Sequence, residues 1–202
     1  MPSDSDMLFR DRWSEALTMP MRLLKLHQKQ LNEVLKVDIK ILNKDHIDQY
    51  MTLRLDGLKN TPEAFGSSYE EEILYSKQNM LKRLTDENVT VFGGYEDGRL
   101  LAVVSLLFET HTKMKHRSRI FGFYIDERYR NSGIGRSLIK KAIDEVRKTG
   151  FVEQIYLSVV TTHFIAKRLY KSLGFHPYAL EKKALKVDGK YYDEELMVLF
   201  LK

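Results

Sequence analysis

The 202-residue sequence contains no cysteine. No disulfide framework and no thiolate metal site can exist, and a covalent cysteine acyl-enzyme is excluded. The absence fits a reducing cytoplasm, where we place the protein. Long apolar runs are lacking as well. The longest, Leu100–Phe108, has nine residues and is interrupted by Ser105. It is too short to span a bilayer as a helix and reads as a buried strand. The opening residues, Met1 to Asp6, are polar and acidic, unlike a signal peptide. A large excess of one charge is also missing: Lys and Arg number 33, Asp and Glu 28, and the net charge is +5. That is too mild to demand nucleic acid, although it suits a polyanionic small ligand. The basic stretch Lys113, Lys115, His116, Arg117 and Arg119 resembles no base-reading module and reads as a solvated loop.

What remains is ordinary for a soluble globular chain: 43% apolar and 30% charged residues. The length suits one domain with an appendage. Residues 1–36 form that appendage. Leu17, Met21, Leu24, Leu31 and Leu35 recur at helical spacing, and Pro20 marks where a clean helix can start. The stripe is either an extra helix packed on the domain or a surface for a partner or a second copy. Residues 37–202 form the domain proper, of α/β class. Strands are expected at Val37–Leu42, Val89–Tyr95, Arg99–Phe108, Arg119–Asp126 and Gln154–Val160. A final hairpin pairs Phe175–Val187 with Lys190–Leu201. Asp97-Gly98 and Asp188-Gly189 are type I′ turn signals. Helices are expected over 44–58, from Pro62, over Gly133–Lys148 and over Thr162–Leu173. Glu70, Glu71 and Glu72 read as an exposed helix face.

The chemistry concentrates where the strand ending at Phe123, Tyr124 and Ile125 runs into Arg130-Asn-Ser-Gly-Ile-Gly-Arg-Ser137 and then a helix. A helix start presents unpaired N–H groups and a positive dipole end, a ready phosphate site. Gly133 and Gly135 let a ligand approach the backbone, and Arg130 and Arg136 add charge. A P-loop is excluded, because Arg130 and Arg136 stand where its first Gly and its Lys belong. A dinucleotide fold is excluded as well: Leu138 replaces its third Gly, and Val159-Val160-Thr161 offers no acidic residue. A plain glycine turn before a surface helix is the remaining alternative.

Arg130-x-x-Gly133-x-Gly135 resembles the Gln/Arg-x-x-Gly-x-Gly/Ala signature of the Gcn5-related N-acetyltransferase (GNAT) family. Downstream, Ala166-x-x-Leu169-Tyr170-x-x-x-Gly174-Phe175 is similar to that family's second CoA segment. His163 stands where the family has Asn. Two further stretches, Pro62–Glu72 and Lys183–Met197, resemble a bacterial branch with poorly defined substrates. The resemblance implies the GNAT fold: a central mixed, mostly antiparallel sheet of about seven strands, flanked by helices, here with an extra N-terminal helix.

It also implies acetyl transfer from acetyl-CoA to a primary amine, small or peptidic, by direct attack in a ternary complex. The pyrophosphate would be held by Arg130, Asn131, Ser132, Gly133, Ile134, Gly135, Arg136 and Ser137. The pantetheine arm and acetyl carbonyl would meet Phe123, Tyr124 and Ile125, with His163 and Ala166 beside them. Tyr170 is the candidate general acid for the departing thiolate, or a core tyrosine. Glu109 and Asp193 are the candidate bases, or solvated carboxylates. His111 and His116 have no metal-site companions, so no metal is expected. The alternative function is a GNAT-fold module that binds CoA and regulates a partner without turnover.

Overall fold

The computed structural model describes residues 37–201. The expected appendage, with its stripe from Leu17 to Leu35, lies outside the described residues.

In chain order the elements are β1 (Asp38–Ile41), α1 (Ile47–Asn60), α2 (Tyr69–Glu72), α3 (Lys77–Thr85), β2 (Val89–Glu96) and β3 (Arg99–Phe108). They continue with β4 (Arg117–Ile125), α4 (Ile134–Thr149), β5 (Gln154–Val160), α5 (Phe164–Ser172), β6 (His176–Val187) and β7 (Lys190–Phe200). The seven strands form one sheet in the order β1-β2-β3-β4-β5-β7-β6. Every neighbouring pair is antiparallel except β4 and β5. The mixed, mostly antiparallel sheet expected from the sequence is therefore present, with helices on both faces.

Both faces are buried, which explains why β3 reads as one apolar run. One face packs against α4 and α5 through Leu101, Val104, Leu138, Ile139, Ile155 and Met197. The other packs against α1 and α3 through Tyr50, Leu53, Met80, Val91 and Val103. Along α4, Leu138, Ile139, Ala142, Ile143 and Val146 are all buried, as the helical spacing predicts. Each large aliphatic side chain buried this way contributes roughly 1.5–3 kcal/mol. The hairpin turns have positive φ at both central residues, +47° and +78° at Asp97-Gly98 and +48° and +79° at Asp188-Gly189. This is the type I′ conformation.

Two expectations are corrected. Pro62 starts only a 3-10 turn, Pro62–Ala64. The helices follow at Ser68 and Ser76, whose hydroxyls accept from the N–H of Glu71 and Asn79. Nor is the acidic run a uniformly exposed face. Glu70 and Glu71 are exposed, but Glu72 is fully buried. Both of its oxygens accept from Arg54, at 2.8 and 3.0 Å, and from Arg83, at 2.8 and 2.9 Å. Burial would raise the Glu72 carboxyl, but the two guanidinium groups outweigh it and hold its pKa at about 2.

Candidate active site

The site begins with a gap in the sheet. β4 and β5 pair over only three positions: Arg117 with Gln154, Ser118 with Ile155 and Arg119 with Tyr156. Beyond Arg119 the edge of β4 facing β5 has no strand partner. A bulge sets the direction of that free segment. Ser105 pairs with Phe121 and Val103 with Tyr124, so Gly122 and Phe123 together oppose Val104. Gly122 has φ +60°, which suits a residue without Cβ. The extra residue flips the alternation. Ile120 faces the α4 side before the bulge, and Phe123 and Ile125 face it afterwards, while Tyr124 joins the α1 side.

The gap opens into a cleft of about 730 Å³. Ile120–Phe123 line one wall and Tyr156–Val160 the other, with Tyr170 on the α5 side and Glu181 and Glu194 on the hairpin side.

At the far end of β4, Asp126 turns the chain. It is buried and accepts from the backbone and guanidinium of Arg128 and from Arg99. The Arg128 hydrogen bond is the main reason its carboxyl stays below the ordinary range. Asn131 and Gly133 then adopt left-handed backbone, φ +63° and +87°, and α4 starts with no side-chain cap. The first N–H groups of α4, at Ile134, Gly135 and Arg136, thus lack an acceptor in a preceding turn. Together with the dipole they form an anion seat.

The two glycines have different jobs. A Cβ on Gly133 would meet nothing within 4 Å, so this glycine serves the turn. A Cβ on Gly135 would lie 2.8 Å from Ile125 and 3.0 Å from Phe123, so this glycine lets α4 sit close on β4. The flanking side chains brace the turn. Arg130 donates to the Ile125 carbonyl at 3.4 Å and to Thr61 at 3.2 Å, and lies over the Tyr124 ring. Arg136 donates to Ser172 of α5 at 2.7 Å, and the Ser132 hydroxyl to the Tyr129 carbonyl at 2.5 Å. Ser137 is exposed, and its N–H bonds the Gly133 carbonyl.

Tyr170 is only 5% exposed, its ring packed between Phe123 and Phe175. Burial pushes its hydroxyl pKa well up, so it stays protonated, as a proton donor must. Ala166 and His163 also line the cleft. The His163 ring bonds the Glu63 carboxylate at 3.0 Å. Burial acts to raise Glu63, but this bond and its charge bring the carboxyl below its ordinary value. The pair joins the start of α5 to the 3-10 turn after α1.

The candidate bases are not brought to the cleft. Glu109 borders a separate depression with Asn88, Phe108 and Phe151. Asp193 is committed to the hairpin: its carboxylate accepts from the Lys183 N–H at 2.8 Å, where β6 bulges with φ +55°. The sequence reading does not single out Glu194. It pairs with Val160 at the open end of β5 and with Glu181 across β6, and it lines the cleft. Burial raises its carboxyl, repulsion from Glu181 adds to this, and a hydrogen bond with Ser158 opposes it. The period-two alternation with Leu196 and Val198 could have found it. The same alternation sends Glu195 to the other face, against Lys167 at 3.2 Å. Among the described residues, no group of three or more His, Asp or Glu could hold a metal ion. No described helix is long and apolar enough to cross a membrane.

The acetyltransferase (GNAT) family model matches residues 55–175. The chain belongs to this family. Spermine/spermidine N(1)-acetyltransferase of Bacillus subtilis is 31% identical over 86 residues, 41% of this chain and 57% of the relative. The [ribosomal protein bS18]-alanine N-acetyltransferase of Escherichia coli is 31% identical over 80 residues, 40% of this chain and 53% of the relative. The chain therefore spans little more than half the length of these curated relatives. A GNAT acetyltransferase from Streptococcus pneumoniae shares the fold with a TM-score of 0.72 at 20% identity, covering 82% of this chain and 100% of that one. A putative acetyltransferase of Salmonella typhimurium, solved with its cofactor acetyl-CoA, gives 0.73 at 19% identity, with 83% and 95% covered. In this GNAT chain the family match takes in the gap, the anion seat and Tyr170. The β6–β7 hairpin carrying Glu181 and Glu194 lies beyond it.

Proposed function

We propose that this chain transfers an acetyl group from acetyl-CoA to a primary amine that enters the β4–β5 cleft, and that residues 37–202 suffice for the chemistry. The observation that carries the reading is the sheet gap, with Tyr170 on one side and the Glu194 carboxylate on the other, on a strand β4 whose chain runs on into a helix-start anion seat. The relatives support it: one is named for spermine and spermidine, another for an alanine of a ribosomal protein, and both act on amines.

The anion seat fits the diphosphate of acetyl-CoA. The N–H groups of Ile134, Gly135 and Arg136 open the helix without a side-chain cap, and the open space at Gly133 admits phosphate oxygens. The unpaired edge of β4 past Arg119 leaves backbone groups for a pantetheine amide and for the acyl oxygen. A backbone N–H aimed at a developing oxyanion is worth roughly 2.7–4 kcal/mol. Acetyl-CoA supplies the activated acyl group. Glu194 takes the proton of the entering ammonium, directly or through water. Tyr170 donates its hydroxyl proton toward the departing sulfur.

Both roles have kinetic signatures. Tyr170→Phe keeps the ring between Phe123 and Phe175 and removes only the hydroxyl. Its kcat and kcat/KM should fall together by about 10²-fold, with acetyl-CoA affinity unchanged. A kcat within twofold of wild type, when chemistry limits the rate, would reduce Tyr170 to a packing residue. Glu194→Gln should lower kcat/KM about 10²-fold at neutral pH. Because burial raises the Glu194 carboxyl, the base form is lost as pH falls through that raised value. The ratio of wild-type to variant kcat/KM should therefore shrink on acidification. A ratio constant with pH would remove Glu194 as the base.

A further inference from the structure

Resting on the N-acetyltransferase reading, we infer that the acceptor is bipolar. Its amine is held beside Glu181 and Glu194, and a carboxylate about a tripeptide's length away is held by Arg117 and Arg119.

The strand register fixes the two poles. One row across the sheet runs through Val89, Leu107, Arg119, Tyr156 and Val198. Arg117 lies over the Tyr156 ring at 4.2 Å, beside Arg119, and both line the cleft. Neither makes an ion pair with any described residue. The Arg117 Nε is buried without a hydrogen-bond partner. Its charge has no carboxylate partner among the described residues and, with that of Arg119, makes this end of the cleft positive.

The other charged groups at this end do not neutralise the pair. Lys82 adds to it. Asp86 also lines the cleft and keeps its negative charge while accepting from Asn88, so it offsets Lys82 and leaves the arginine pair uncompensated. Arg54 and Arg83 share Glu72, so that trio keeps one positive charge. The opposite pole is the row through Val160, Glu194 and Glu181. Val160 is four positions beyond Tyr156, about 13 Å at a strand's rise. The reach of the side chains shortens that span to roughly 10 Å, the extended length of three residues. A polyamine would place a second cation against Arg117 and Arg119 and be repelled there.

The test compares triglycine, triglycine amide and spermidine as acceptors, with acetyl-CoA saturating. It also measures their equilibrium binding in the presence of CoA. Triglycine should exceed its amide at least tenfold in both kcat/KM and affinity, and should exceed spermidine likewise. Arg119→Gln, on an exposed side chain, should cut that preference severalfold. Arg117→Gln with Arg119→Gln should erase it. Turnover without carboxylate preference would overturn the inference and leave the transferase reading standing. Carboxylate-dependent binding without turnover would do the reverse. A preference for spermidine, or a carboxylate preference unchanged in the double variant, would overturn the inference.

Discussion

Gly133→Asp should abolish the stabilisation that acetyl-CoA gives the folded chain, while Gly133→Asn keeps a reduced part of it. A ligand at 100 times its Kd adds about 2.7 kcal/mol to unfolding stability. Gly133 has φ +87° and open space where a side chain would stand. Asn and Asp enter left-handed backbone more readily than other residues, so both variants carry similar strain and similar bulk. They differ in one charge. Asp places a carboxylate at the positive end of α4, where it repels a diphosphate and competes for the same N–H groups. Thermal unfolding with and without acetyl-CoA, checked by calorimetric titration, reads the difference. A full ligand shift in the Asp variant would place the binding site elsewhere.

Glu72→Gln should destabilise the fold by about 3–5 kcal/mol, the cost of leaving buried charge without its partner. Arg54 and Arg83 both direct paired donors at the Glu72 carboxylate, and Arg54 also lies over the Phe65 ring at 4.4 Å. The loss should therefore loosen the α1–α2 wall of the cleft as well. The sign with pH follows from the carboxyl's low value in the fold, about 2 against an ordinary 4.5. The unfolded chain binds the proton more readily, so the stabilisation is fully present above about pH 4.5 and is lost as pH falls toward 2. Denaturant unfolding at neutral and acid pH should show wild type losing its advantage over the variant across that window. A variant within 1 kcal/mol of wild type at pH 7 would mean that water or rearrangement satisfies both guanidinium groups.

How far the sequence carries depends on the range of the interaction that decides each feature. The stripe from Ile134 to Val146, with glycines at Gly133 and Gly150, reads as α4 because period and caps are local. Asp97-Gly98 and Asp188-Gly189 read as turns for the same reason. The bulge at Gly122 could not be read, because it exists only in the register between β3 and β4. The burial of Glu72 was equally hidden. A four-residue helix has no period to consult, and the partner Arg54 lies on another helix. His163 and Glu63 meet across 100 residues of sequence.

At the candidate site, local motifs located the anion seat and Tyr170. The bases were sought by their place along a strand, at Glu109 and Asp193. The face of the strand is what brings a carboxylate to the cleft, and it brings Glu194 there. The roles of the glycines also separate only in three dimensions: one makes a turn, the other makes room for packing.

Acetyl transfer to an amine shows itself most directly as coupled product formation. The full chain is mixed with acetyl-CoA and triglycine, and two products are followed together: free CoA thiol by a colorimetric reagent and acetylated peptide by mass spectrometry. Thiol and N-acetylated peptide should rise in equal amounts, neither should form when the peptide is left out, and both should form at least about 10²-fold more slowly when Tyr170→Phe and Glu194→Gln are combined. Thiol released without acetylated peptide, or bound acetyl-CoA with neither product across a wide panel of amines, would contradict the claim that this cleft moves an acetyl group to an amine.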